Sequence, residues 1–252
     1  MAYRKVDEAS LTAVANSIRA KGGTTGALAF PDGFVSAVQA IQAGGGEADS
    51  SFKDVIERTA VNLTLPSDLT KIGDYAFYNY TNIALTSLPD GLNSIGSSAF
   101  YNCGSLALTS LPDGVTSIGS SAFYYCRSLA LTSLPSSLTN IQYNTFRNCS
   151  KLALTSLPDG VTSIGDYAFY SCWNIALTSL PNGVTSIMNY AFADCLKLST
   201  ITFEGTPSSI SSSAFDGCTK ITTINVPWAE GAVANAPWGA TNATINYNYT
   251  GE

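Results

Sequence analysis

The side chains with the most chemical potential in this chain are six cysteines, and they recur at one spacing. Cys103, Cys126, Cys149, Cys172, Cys195 and Cys218 stand 23 residues apart, with Tyr80 in the same place one unit earlier. Thiols can ligate soft metals, form disulfides or act as nucleophiles, and each use needs a suitable partner close by. A separation of 23 supplies no Cys-x-x-Cys knuckle for zinc or an iron–sulfur cluster. Stacked on adjacent coils, the thiols come near enough for disulfides to be an option, yet a small residue filling a tight interior slot explains the position without redox chemistry. The expectation is a reduced, buried ladder. Histidine is absent, which removes Ser-His-Asp and Cys-His nucleophile systems and His-ligated zinc together. Asp90, Asp113 and Asp159 recur in turns, but one exposed carboxylate per unit lacks the second, differently tuned acid that acid–base catalysis needs. No catalytic residue, metal site or cofactor is expected, and the chain reads as a non-enzyme.

Binding chemistry is better represented. Tyr78, Tyr101, Tyr124 and Tyr170 each follow a recurring phenylalanine, while Tyr75, Tyr167 and Tyr190 precede a recurring alanine. Rigid amphipathic rings among Ser, Asn and Asp give contact area at low entropic cost, as on antibody loops. The same rings could instead form a stacked ladder that only stabilises adjacent coils. Both readings stand at this stage.

The elements that must position these side chains follow from the phenylalanines. Phe77, Phe100, Phe123, Phe146, Phe169, Phe192 and Phe215 are each 23 residues apart with no insertion or deletion. So strict a period marks a solenoid, whose units are too small to bury their own apolar residues and do so against their neighbours. A short strand is expected to end at Leu-Pro (Pro89, Pro112, Pro135, Pro158, Pro181). Asp-Gly or Asn-Gly follows, residues that tolerate the positive φ of a tight reversal. Strand parity cannot place Leu129, Leu131 and Leu134 on one face, because side chains alternate. Either Leu85, Leu108, Leu131, Leu154 and Leu177 form an exposed stripe suited to binding, or a bulge lets both leucines point inward.

Outside the repeats, residues 1–46 read as a helical attachment module. Leu11, Val14, Ala15 and Ile18 follow one helical face and Phe34, Val35, Val38 and Ile41 a second, with glycines closing each. Residues 47–60 are expected to be a linker and N-terminal cap, 61–226 the solenoid, and 227–252 a C-terminal cap in which Trp228 and Trp238 cover the end of the stack. Only 12% of residues are charged and the net charge is −6. The basic residues look scattered singly, so nucleic acid is not an expected partner. Neither a signal peptide nor an apolar run long enough for membrane insertion is evident.

The unit Ile-Gly-x-x-Ala-Phe-x-x-Cys-x-x-Leu followed by Leu-Pro resembles the BspA-like leucine-rich repeat over roughly residues 61–226. That resemblance implies an α/β repeat fold, a right-handed leucine-rich-repeat solenoid of short parallel strands, used for binding rather than catalysis. Thr86, Thr109, Thr132, Thr155 and Thr178 depart from the usual aliphatic residue, and Gln142, Thr145 and Met188 replace the usual Gly or Ala. The stretch LTAVANSIRAKGGTTGALAFPDGFVSAVQAI is similar to a module at the start of phage and prophage tail-associated proteins, and the C-terminal stretch is similar to endings of the same group. Together these imply a virion tail appendage made in the host cytoplasm. Residues 1–46 would attach to a tail or baseplate subunit, and the solenoid would recognise a bacterial surface receptor, protein or glycan. The alternative is a bacterial cell-surface or secreted adhesin. The candidate surface is Tyr75, Tyr78, Tyr101, Tyr124, Tyr167, Tyr170 and Tyr190 with Leu108, Leu131 and Leu154. Homo-oligomer formation stays open.

Overall fold

The computed structural model describes Leu65 and residues 67–251; the expected helices within 1–46 and the linker at 47–60 lie outside the described residues. The described chain is a parallel β-solenoid of about eight coils. Its strands are β1 (Lys71–Ile72), β2 (Ser94–Ile95), β3 (Ser117–Ile118), β4 (Asn140–Ile141), β5 (Ser163–Ile164), β6 (Ser179–Leu180), β7 (Ser186–Ile187), β8 (Thr200–Phe203), β9 (Ser209–Ile210), β10 (Thr223–Asn225) and β11 (Thr244–Asn246). All pairings are parallel, and the Ser-Ile strands pair in steps of 23, as in Ile72 with Ile95 and Ile164 with Ile187. No helix occurs among the described residues, so the α/β expectation is corrected there to an all-β coil.

The reason lies in the Ala-Phe segment, which satisfies its amides without a helix. In the coil of Phe100, the N–H groups of Ser98, Phe100 and Asn102 donate to Ser120, Ala122 and Tyr124 of the next coil at 2.9, 2.8 and 2.6 Å. The alternate N–H groups of Ala99, Tyr101 and Cys103 donate back three residues, to Gly96, Ser98 and Phe100. Ser98 and Asn102 sit third in the turns Gly96–Ala99 and Phe100–Cys103, with the positive φ of a type II turn at 53° and 57°, whereas Phe100, third in the turn between them, has no positive φ. The same two columns carry positive φ in the neighbouring coils, at Tyr75 and Asn79, Ser121 and Tyr125, Asn144 and Asn148. By contrast, the turn glycines Gly91, Gly114, Gly160 and Gly183 have no positive φ. The expected use of Asp-Gly is thus corrected. Those turns close by a bond from the residue after Gly to the Pro carbonyl, as in Val115 to Pro112 at 3.1 Å.

Inside, the seven phenylalanines stack in a single file with ring centroids 5.1–5.6 Å apart and planes within 3–12° of parallel. Trp238 continues the file. It lies 23 residues beyond Phe215, accepts the Phe215 N–H at its carbonyl at 2.9 Å, and is fully buried. Residues 227–251 therefore form an irregular last coil rather than leaving the period. Phe203, Trp228 and Trp238 meet edge to face or tilted at 5.2–6.2 Å and close that end.

The leucine question resolves inward. Leu108, Leu131 and Leu154 are fully buried, and Leu85 and Leu177 nearly so, while the Thr-Ser pairs after them point outward. Two consecutive outward residues break strand alternation. Accordingly only isolated bonds join these segments, as in Ala130 to Leu108 at 3.0 Å. In the last units the apolar residue moves one place on, to Ile201 and Ile224. Alternation is then restored and a real sheet forms, in the order β11-β10-β8-β6.

The Ser-Ile column is split into β1-β2-β3 and β4-β5-β7-β9. The coil after the break carries Ser137 at the turn-glycine position and Gln142 at the position of Gly73, Gly96 and Gly119. A Cβ on Gly119 would stand 2.5 Å from the Ser97 nitrogen, so these coils approach too closely for a side chain there. Met188 occupies the same column yet keeps its bond to Ile164 at 2.9 Å. The break thus goes with the two departures together.

Candidate binding surface

Geometry settles the chemistry of the cysteine column. All six thiols are free and buried. Each Sγ–H donates to the carbonyl of the Phe 26 residues earlier, from Cys103 to Phe77 at 2.9 Å through Cys218 to Phe192 at 3.0 Å. That carbonyl also accepts a turn N–H, as Phe100 does from Cys103 at 3.1 Å, so both its lone pairs are used. Burial pushes the thiols of Cys126, Cys149, Cys172 and Cys195 well up, with neighbouring thiols adding to the effect at Cys126, Cys149 and Cys195. A protonated, enclosed thiol is a poor nucleophile. Among the described residues, no group of three or more His, Cys, Asp or Glu could hold a metal ion, and no helix is long and apolar enough to cross a membrane.

The seven tyrosines come together on one flank, in two adjacent columns. Tyr78, Tyr101 and Tyr124 stack at 4.6 Å, with planes 17° and 4° apart. Tyr167 and Tyr190 stack at 5.1 Å, Tyr167 meets Tyr170 at 5.7 Å, and Tyr75 leans on Tyr78 at 5.7 Å. Rings that cover one another's faces present edges and hydroxyls to solvent. The file is a ladder with a phenol row on its outside. Burial first, then the flanking phenols of Tyr124 and Tyr78, raise the Tyr101 pKa. At Tyr170 the neighbouring Asp194 carboxylate does most of the raising, burial adds to it, and Arg147 opposes it.

Arg147 stands where the next tyrosine would be. Its guanidinium carbon lies 5.6 Å from the Tyr124 ring centre, 4.7 Å from Tyr167 and 4.8 Å from Tyr170. Nη1 donates to Asn144 Oδ1 at 3.4 Å, and Nε is buried without a hydrogen-bond partner. Cation–π contact of this kind is worth roughly 0.5–2 kcal/mol, so Arg147 bridges the two tyrosine groups.

Leu108, Leu131 and Leu154 leave the candidate surface, because burial gives them to the core. The side chains that sequence reasoning missed are Trp173 at 53% exposure, Tyr143 at 49%, Met188 at 44% and Leu196 at 40%. Trp173 and Leu196 share the column directly after Cys, otherwise held by Gly104, Arg127, Ser150 and Thr219. No common property unites that column, which marks it as solvent-facing and makes a tryptophan there conspicuous. Among the described residues, no aromatic ring stacks on Trp173.

Fold and surface together define a repeat solenoid whose chemistry lies in its outward columns. The sequence profile described as the BspA type leucine-rich repeat region matches residues 49–175 and 141–232, and the chain belongs to that family. Residues 1–46 lie outside the match, which lends no support to the likeness to tail-associated modules expected of them. No curated protein sequence matches the chain. Among solved structures, it is similar to the leucine-rich repeat protein of T. pallidum at 32% identity, covering 57% of this chain and 71% of that one, with a TM-score of 0.47. A leucine-rich cell surface protein of Faecalibacterium prausnitzii is 27% identical over 66% of this chain and 60% of its own, with a TM-score of 0.47. The pneumococcal vaccine antigen PcpA is 19% identical over 73% of this chain and 45% of its own, with a TM-score of 0.53, a likeness of fold alone.

Proposed function

We propose that this chain is a non-catalytic recognition protein of the bacterial cell surface, binding through the outward positions on either side of the phenylalanine file. The observation that carries the reading is the set of large side chains left in solvent on a scaffold that uses its other apolar groups internally: Tyr75, Tyr143, Trp173, Met188 and Leu196. Exposed aromatic and apolar groups on a rigid support mark binding surfaces. Family membership supports the reading, since it implies binding. The adhesin-type role is preferred over the tail appendage, because it rests on the family that residues 49–232 match, whereas the tail appendage rests on residues 1–46 alone.

Labelled full-length protein should adhere saturably to intact bacterial cells or their isolated envelopes, and Trp173→Ala should reduce that adhesion. In the source organism, antibody labelling should find the protein on the cell envelope. Its recovery in purified phage-like particles instead would restore the virion reading, and adhesion to no envelope would remove the recognition role.

A further inference from the structure

The basic residues that look scattered along the chain are gathered by the coil. Six lysines and arginines lie among the described residues, and five of them fall one to five places after a Phe: Arg147 one place after, Arg127 four places after, and Lys151, Lys197 and Lys220 five places after. The sixth, Lys71, lies on β1 in the Ser-Ile sheet. Carboxylates concentrate elsewhere, at Asp90, Asp113 and Asp159 in the Pro-turns and at Asp74 and Asp166 before the Phe, with Asp194 and Asp216 the exceptions near the cations. A protein of net charge −6 thus carries one basic edge.

Lys151, Lys197 and Lys220 are exposed, and no ion pair to them exists among the described residues. They stand in one file with Asn174 between the first two. Adjacent coils repeat at close to the 5.3 Å that separates the rings of Phe192 and Phe215, about the length of one sugar ring along an extended chain. Beside this file runs the column of Ser150, Trp173 and Leu196, in which Trp173 offers an indole face that no other ring covers. Sparse positive charge, an open aromatic face and neighbouring hydroxyl and amide groups are what a sugar bearing one anionic group per residue requires. Its C–H face packs on the indole while its anion meets an ammonium.

We propose that this edge, from Lys151 to Lys220 with Trp173 as anchor, binds an anionic polysaccharide laid along the solenoid axis. The proposal rests on the recognition reading above and names its ligand class. The test measures binding of the full chain to polygalacturonate at low and at physiological salt. Dextran serves as the neutral control, with polyglutamate and single-stranded DNA as control polyanions. Binding to polygalacturonate and not to dextran is expected, weakening as salt rises because exposed charges are screened. Trp173→Ala should weaken it about tenfold, as loss of an aromatic anchor does, and Lys197→Ser with Lys220→Ser by a similar factor. Lys71→Ser, which removes a positive charge from the Ser-Ile sheet instead of this edge, should leave it unchanged. All these positions are exposed, so thermal melts should match the parent. No binding to polygalacturonate, equal binding by the edge variants, or equal or tighter binding of polyglutamate or DNA would overturn the proposal. Adhesion to whole cells measured alongside separates the two ideas. Adhesion without polygalacturonate binding sinks only the ligand class, whereas loss of both sinks the recognition reading as well.

Discussion

Replacing Phe146 by alanine tests whether the aromatic file is what joins one coil to the next. Its ring is fully buried and lies between Phe123 at 5.6 Å and Phe169 at 5.5 Å. Removing a buried phenylalanine side chain costs about 3–5 kcal/mol. Stacked contacts on both faces put this site at the upper end, since each aromatic pair adds roughly 0.5–1.5 kcal/mol beyond area burial. Phe77→Ala is the internal comparison. Phe77 stacks on only one phenylalanine, Phe100 at 5.1 Å, so its loss should cost about 3 kcal/mol, the lower end of the same range. In a solenoid, stability is a sum over neighbouring units, so a central lesion also uncouples the halves. All three tryptophans, Trp173, Trp228 and Trp238, lie beyond Phe146. Urea unfolding followed by tryptophan fluorescence therefore reports the C-terminal half, while circular dichroism reports the whole array. The two curves should coincide in the parent and separate in Phe146→Ala. A cost for Phe146→Ala below about 2 kcal/mol, or below that of Phe77→Ala, with coincident curves, would refute the idea that the file couples the coils.

The thiol column makes stability fall in alkali. Unfolded cysteines ionise near pH ~8.5, while burial holds Cys126, Cys149, Cys172 and Cys195 protonated well above that. Their contribution is complete below the unfolded value and is lost as pH climbs towards the folded one, by up to about 1.4 kcal/mol per unit for each thiol. Urea midpoints at successive pH values above 8 should drop accordingly, and constant midpoints would contradict this. In the same protein, an aromatic disulfide reagent should leave all six thiols untouched until urea unfolds the chain. Gly119→Ala should destabilise by roughly 1–3 kcal/mol, since its Cβ would meet Ser97 and Gly96 backbone atoms at 2.5–2.7 Å. Gly91→Ala, whose nearest neighbours are 3.9 and 4.0 Å away, should be neutral or slightly stabilising in thermal melts. Moving the apolar residue one place on, as Leu177→Thr with Thr178→Ile, should extend β6 alongside β8, read as slower amide exchange at positions 178 and 179.

The period, the buried Phe file and the reduced cysteines were legible because each needs only a residue type repeated at a fixed interval. Nothing in residue type alone distinguished Leu131 inside from Leu131 outside. That depended on whether two successive polar residues, Thr132 and Ser133, could both face solvent, a backbone property rather than a propensity. The positive φ was assigned to the wrong residues for a related reason. Asp-Gly tolerates that conformation, but the coil needs it at Ser98 and Asn102, where alternate amides must be turned towards the next coil. The end of the array was placed early because Trp238 keeps the Phe interval in a segment whose other residues have drifted. The edge cations were missed by reading charge along the chain instead of modulo 23, where Lys151, Lys197 and Lys220 coincide. The thiol-to-carbonyl bond could not be anticipated, since it links residues 26 apart, an offset set by how the coils stack.

That bond makes the array directional. Every thiol reaches towards the coil before it, so a coil inserted in register finds a carbonyl waiting on one side and offers its own on the other. Gain or loss of a whole 23-residue unit between cysteine-bearing coils keeps the thiol-to-carbonyl bond at each junction, whereas gain or loss of any other length severs it. Lineages carrying this gene can therefore vary in reach by whole steps, moving the exposed tryptophan nearer to or farther from the ends of the rod while the interior stays the same.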